Sequence, residues 1–346
     1  MNRLSRRAFM LTASAACVSA GSRPARPAEP GLLPLRIEVP SAENLQFLTL
    51  WVALGSDAFA RHGLAPKILV APSPRQTGDA LLRGDAEITV LPPPMFLGMM
   101  AEDKPIRLFA SLLANEPINL VVRKEIAAQR NFRTGAGLRE KLAALRGLRT
   151  GLAPEVAPRL RAIYAAAGLN ADRELMFVTI PGPQQVQALA DAKIDMLFAH
   201  TPYLETALVR YGAVLAVNAS DGEIAGLANG QIHALAATRD IVAHHRDLVQ
   251  RATAAIADAE SVIHTGSDGG LNALLKYRGN GLDRQLARAT MAVYSPAVPQ
   301  TPRISIAGIL RDRNIYPAHP RAPDFSIVRA ADFVDNSFAD AVRTGN

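Results

Sequence analysis

Arg159 follows Pro158 in what reads as the first turn of a helix, where the partial positive charge of the N-terminus opposes a cation. A guanidinium in that place either clamps a carboxylate or sulfonate or simply sits in solvent. Glu155, just upstream, and Glu43 either grip a cationic group or complement a helix dipole. Ser41 and Asn44 precede an apolar-periodic run, so each either donates to a ligand or caps the helix. His200 and Thr201 close an apolar run at Pro202, and the His200 ring makes either a ligand hydrogen bond or a structural one. Pro92-Pro93-Pro94 offers three residues without an N–H, a rigid apolar wall suited to a partly apolar ligand. Ser41, Asn44, Gln46, Pro93, Glu155, Arg159, His200 and Thr201 are therefore the candidate ligand-binding set. Phe47 and Trp51 fall on the core stripe of their helix and are assigned to packing.

The catalytic inventory is negative. The sequence contains no G-x-S-x-G elbow, phosphate loop, H-E-x-x-H or cysteine pair. His244 and His245 are adjacent, so a helix cannot turn both toward one metal ion. Gly135-Ala136-Gly137 lacks the rest of a dinucleotide fingerprint, and Asp268-Gly269-Gly270 lacks the ligand series of a calcium loop. Neither an enzyme nor a resident metal or cofactor is expected.

The elements that must position these residues alternate. Leu35 to Val39 reads as a strand, Leu45 to His62 as a helix ended by Gly63, and Lys67 to Ala71 as a strand. Gln76 to Arg83 then reads as a helix stopped by Gly84, and Ala86 to Leu91 as a buried strand running into a proline turn. The order returns after residue 147. Ala80 and Glu87 are spaced as are Ala188 and Asp195, and an apolar strand follows each acid. Two like parallel sheets covered by helices are expected, with a ligand beyond the carboxyl ends of their strands. The loops there are Pro40 to Asn44, Pro92 to Pro94, Ala153 to Arg159 and His200 to Tyr203.

Between the modules, Ile106 to Leu113 and Asn119 to Arg123 read as strands and Ile126 to Leu145 as a helical connector. Ala213 to Val217 and Gln231 to Arg239 are strand-like, and a long helix is expected from Ile241 to His264. The remainder, from Leu271, reads as helices broken by Gly279 to Gly281, Pro296 to Pro302 and Pro317 to Pro323, packing back on the first lobe. Two chain crossings follow, near 115–122 and 214–235. The expected lobes are 29–116 with 218–346, and 117–217.

The first 28 residues read as an address. Arg6-Arg7 stands between Ser5 and Phe9, with a short apolar run behind it, the pattern of a twin-arginine export signal. Removing them takes five arginines and no acid, so the formal charge falls from +7 to +2. No basic block remains for nucleic acid, and aromatics at 5% give few stacking platforms. Cys17, the single cysteine, lies inside the signal, so the mature chain is expected to hold no disulfide. No other apolar run reaches the roughly 18 residues of a membrane helix.

Leu50 to Leu64, then Ala80 to Ile88, and later Asp195 to Glu205 resemble the nitrate, sulfonate and taurine type of solute-binding protein of ABC importers. The likeness runs from about residue 35 to 265. It implies a type 2 periplasmic binding protein fold: two α/β lobes, a cleft between them and two hinge crossings. It further implies a monomer that captures a small solute in the periplasm for a membrane permease and its ATPase. Departures from the pattern are Glu43, Glu155 and the prolines where hydroxyls and a cation are expected, so an organic anion with an apolar part is the first expectation. A heteroaromatic or amine is the second. Relatives that make or bind the thiamine pyrimidine are included in the resemblance, although the cysteine-rich motif of the synthase branch is absent. An exported enzyme and a ligand-sensing subunit are the rival classes.

Overall fold

The computed structural model describes residues 31–266, 268–313, 315 and 330–343. The first 28 residues, read above as an export signal and containing Cys17, and the stretch 317–323 lie outside the described residues. The alternation seen in the sequence builds two five-stranded sheets. Strands β1 (Leu33–Val39), β2 (Leu64–Val70), β3 (Ile88–Leu91), β4 (Ile106–Leu113) and β10 (His233–Thr238) form the first, in the order β2-β1-β3-β10-β4. Strands β5 (Asn119–Val122), β6 (Arg149–Leu152), β7 (Met176–Thr179), β8 (Met196–Ala199) and β9 (Val214–Val217) form the second, in the order β7-β6-β8-β5-β9.

The two orders are the same pattern. In each sheet three strands run parallel, and the fourth in spatial order is antiparallel to both its neighbours. That antiparallel strand is the one the chain enters on arriving from the other sheet: β5 follows the crossing after β4, and β10 follows the crossing after β9. The crossings fall at 114–118 and 218–232, overlapping the stretches the strand pattern marked.

The matched acids have matched partners. Glu87 accepts from the Arg36 backbone N–H at 2.7 Å and from its guanidinium. Asp195 accepts from the Arg149 backbone N–H at 2.9 Å and from its guanidinium at 2.6 Å. Each arginine also donates to a carbonyl in the turn before the acid, Gly84 or Ala192. In both modules the acid thus ties the third parallel strand to the first, the feature behind the repeated spacing.

Several helix boundaries differ from the sequence reading. The single helix expected from Leu45 to His62 is a 3-10 turn at Leu45–Phe47 followed by helices Leu48–Gly55 and Ala58–Arg61, broken where Asp57 adopts φ 58°. A β-carbon at Gly55 would lie 1.8 Å from the Ala273 carbonyl oxygen, so glycine is what lets the Asp268–Arg278 helix cross so closely. Pro93 and Pro94 do not make a turn: they begin the helix Pro93–Ala101, where their missing N–H groups have no intrahelical partner to lose. The long helix from Ile241 is interrupted at His245, giving Arg239–His244 and Arg246–His264. The connector holds two helices, Lys124–Gln129 and Leu138–Ala144.

Trp51, Phe59, Phe109 and Phe338 centre the first core, and Leu120, Leu160, Tyr164 and Phe198 the second. The tail returns to the first half through Asp268–Arg278, which packs on Leu48–Gly55, and through Phe338, whose ring meets Phe109 at 6.3 Å. Arg284–Tyr294 is the exception: it packs against Tyr203–Tyr211 beside the second sheet. Among the described residues no helix is long and apolar enough to cross a membrane.

Candidate functional site

The carboxyl ends of β1, β3, β6 and β8 open on one cavity of roughly 330 Å³. Pro40 and Ser41 reach it from β1, Pro92 and Pro93 from β3, Glu155 and Arg159 from the segment after β6, and His200 to Tyr203 from β8. The two crossings add Pro117 and Ile118 from one and Ile232 from the other, His233 joins them from the start of β10, and further residues, Gln46 and Phe47 among them, complete the wall. Two further cavities, of about 370 and 400 Å³, are lined by residues such as Arg210 and His264 that follow no parallel strand. Volume does not separate the three; position at the strand ends does.

All eight residues singled out in the sequence line this cavity, but they do different things there. Asn44 caps the 3-10 turn, its Oδ1 accepting from the Gln46 N–H at 2.9 Å, and its backbone carbonyl accepts from Trp51 Nε1 at 2.8 Å. Ser41 Oγ accepts from the Glu43 N–H at 3.3 Å. Gln46 is buried and bridges the crossings: its Nε2 donates to the Pro117 carbonyl at 3.0 Å, and its Oε1 stands 3.4 Å from His233 Nε2. Pro93 is buried at the head of its helix, and Glu155 is exposed at the mouth.

Arg159 does lie in the first turn of the Ala157–Ala166 helix, and its guanidinium meets an acid the sequence reading had not paired with it. Nη1 is 3.4 Å from Oε1 of Glu116, a side chain 2% exposed at the first crossing. Burial pushes the Glu116 carboxyl above the usual range, with Arg159 pulling the other way. The same Glu116 oxygen accepts from the Ile118 N–H at 3.0 Å.

Both histidines are neutral bases here. His200 Nδ1 donates to the Thr201 carbonyl at 2.6 Å, and burial lowers the ring's pKa. Burial, with Arg159 and His200 adding to it, pushes His233 down to about 3. Phe47 packs edge-on to His233 with ring centroids 4.9 Å apart, so it lines the cavity while remaining 1% exposed. Tyr203 tilts against His200 at 5.4 Å, and burial together with nearby Glu43 raises its phenol. Thr201 is fully buried, below it lies Glu205, and burial pushes that carboxyl up to about 7 against the hydroxyls of Thr201 and Thr290.

Sequence reasoning missed Glu116, His233 and the cavity-facing side of Phe47. Glu116 sits on the first crossing against Arg159, and His233 opens β10 directly after the second. Phe47 obeys the apolar period and is placed at a strand end as well, a distinction periodicity does not carry. Among the described residues no group of three or more His, Cys, Asp or Glu side chains is placed to hold a metal ion.

A model of the NMT1-like family matches residues 42–269. The alkanesulfonate-binding protein SsuA from Xanthomonas axonopodis pv. citri, solved bound to MOPS, superposes with a TM-score of 0.60 at 16% identity, covering 90% of this chain and all of that one (100%). The periplasmic nitrate-binding protein NrtA from Synechocystis PCC 6803 gives 0.53 at 14% identity, over 74% of this chain and 69% of that one. The desulfurization enzyme DSZB gives 0.58 at 16% identity, over 90% and 99%. At these identities the structures establish the fold alone. Among curated protein sequences none is significantly similar to this chain.

Proposed function

This chain belongs to the NMT1-like family, and on that premise we propose that it is the extracytoplasmic substrate-binding component of an ABC importer. It captures a small, partly apolar organic solute by closing two lobes, 29–116 with 218–346 and 117–217, about the two crossings. The observation that carries the reading is the single cavity lined by strand ends of both sheets and by both crossings. A rotation at the crossings would widen or shut such a cavity without disturbing either sheet. Its neighbours in fold include sulfonate- and nitrate-binding proteins. The prolines, Phe47 and Ile118 suit an apolar part of the solute, and the polar groups between them fix its orientation. Periplasmic residence after twin-arginine export, a monomeric state, and delivery to a permease coupled to an ATPase complete the proposal.

Native mass spectrometry of the purified chain tests it by identifying a retained small molecule. A micromolar solute corresponds to about 8 kcal/mol of binding free energy. Adding it back at a hundredfold excess over its dissociation constant should stabilise the fold by about 2.7 kcal/mol. The desulfurization enzyme shows that chemistry can be done on this fold, so chemical turnover of the retained molecule would displace the importer reading in favour of an exported enzyme.

A further inference from the structure

We propose that the cavity selects a solute presenting two hydrogen-bond donors beside a planar apolar face, of the amidine or urea type, rather than an organic anion. This rests on the solute-capture reading and deepens it. The argument begins with Gln46. Its Nε2 donates to the Pro117 carbonyl, so its Oε1 is the atom that faces His233 Nε2 and must accept. The single proton of the neutral His233 ring is therefore on Nε2, and Nδ1 is left as a lone pair. That Nδ1 is buried, has no partner among the described residues, and belongs to a ring lining the cavity.

The second acceptor arises by the same logic on the other side. A carbonyl oxygen can only accept, so His200 carries its proton on Nδ1, toward Thr201, and Nε2 is a lone pair. One imidazole acceptor thus comes from the strand end of β8 and one from the start of β10, one from each sheet. A molecule with two N–H donors would satisfy both and hold the sheets together.

Charge points the same way. Arg159 is the one Lys or Arg lining the cavity among the described residues, and Glu116 already stands against it. Glu43 and Glu155 add two further carboxylates at the mouth. An incoming anion would meet two imidazole lone pairs and two carboxylates for one guanidinium that Glu116 already faces, whereas a donor finds at His233 Nδ1 a buried acceptor without a partner among the described residues, costly to leave unmet. Phe47, Tyr203 and the prolines give a flat ring its contact surface.

The test compares four one-ring probes on the purified full chain by thermal shift and calorimetry: benzamidine and phenylurea as donors, benzoate and benzenesulfonate as acceptors. The donors should bind and raise the melting temperature while the acids do not, and His233→Phe should weaken benzamidine at least tenfold. Binding of benzoate or benzenesulfonate in place of the donors overturns the donor assignment and leaves solute capture standing. Binding of none of the four also overturns it, and if native mass spectrometry then finds no retained small molecule, solute capture falls with it.

Discussion

At Arg159 the sequence revealed the anomaly and not its resolution. A cation at a helix start was legible from Pro158 and the dipole, but the carboxylate that answers it is 43 positions upstream, on a crossing, where spacing arguments do not reach. Glu116→Gln isolates the pair. Removing the acid takes the Glu116 carboxylate away from a mostly buried guanidinium, a change worth about 3 kcal/mol of stability, and turns the cavity toward anions. The variant should unfold at a lower urea concentration than the parent and should gain calorimetric binding of benzenesulfonate; a variant as stable as the parent and equally blind to sulfonate sinks the pairing argument. Glu205 gives a second residue-scale prediction, with a definite sign. Its folded pKa is raised to about 7 from an ordinary 4.5, so its favourable contribution is complete below the ordinary value and is lost as pH climbs from there to about 7. With the side chain fully buried the loss is on the order of 3 kcal/mol. Glu205→Gln should therefore flatten the melting temperature between pH 5 and pH 8, and the variant should be the more stable of the two at pH 8. A parallel pH profile in parent and variant would remove Glu205 as the titrating group.

The repeat belongs to the scale of elements. The seven-residue step from Ala80 to Glu87 and from Ala188 to Asp195 was visible in the letters, and so was the strand after each acid. The arginines were not, because Arg36 and Arg149 sit two strands earlier in the chain and contact the acid only once the parallel pairing exists. Helix limits were the least legible part: Asp57 and His245 break runs whose apolar period continues through them, and Pro93-Pro94 opens a helix where three prolines suggested a turn. The paired motif also predicts an asymmetry. Asp195 is 12% exposed and Glu87 24% exposed, and each holds a backbone N–H as well as a guanidinium. Asp195→Asn should cost about 1.5 to 2 kcal/mol, since a charged acceptor of two donors is lost, and Glu87→Gln less, nearer the value of a screened pair. Urea midpoints rank them, and an equal or reversed ranking counts against burial as the cause. The Arg149 hydrogen bond foremost holds the Asp195 carboxyl below its ordinary range. Its contribution is thus present above pH 3.8 and disappears as pH falls through the lowered folded value.

For the molecule as a whole, the decisive fact is that each half owns a complete sheet of the same order. Two chain crossings and the packing of Arg284–Tyr294 against Tyr203–Tyr211 are among the links between them, and one buried apolar cluster draws on both, Phe47 from the first half with Leu197 and Leu204 from the second. The sequence placed both crossings because strand spacing changes there. It could not show that each crossing delivers its chain into the antiparallel strand of the other sheet, since pairing partners are chosen in three dimensions. That exchange matters for motion. The crossings enter the middle of each sheet, between two hydrogen-bonded neighbours, so a rotation there carries the sheet as a body instead of peeling an edge strand. Gln46 sits where both crossings meet the cavity, tied to Pro117 on one and beside His233 on the other, so whatever occupies the cavity acts on both at once. Glu43 from the first half and Tyr203 from the second both line the cavity, near enough for the carboxylate to raise the phenol's pKa. Solute binding should shift the population toward the closed form by its differential affinity. Small-angle scattering on the full chain, with and without its retained molecule, should therefore show a smaller radius of gyration when the molecule is bound, and Gln46→Leu should blunt that contraction while leaving both sheets folded by circular dichroism. An identical radius in the two states would mean that the halves form one rigid body, with capture proceeding through the mouth at Glu43 and Glu155 instead of through the hinge.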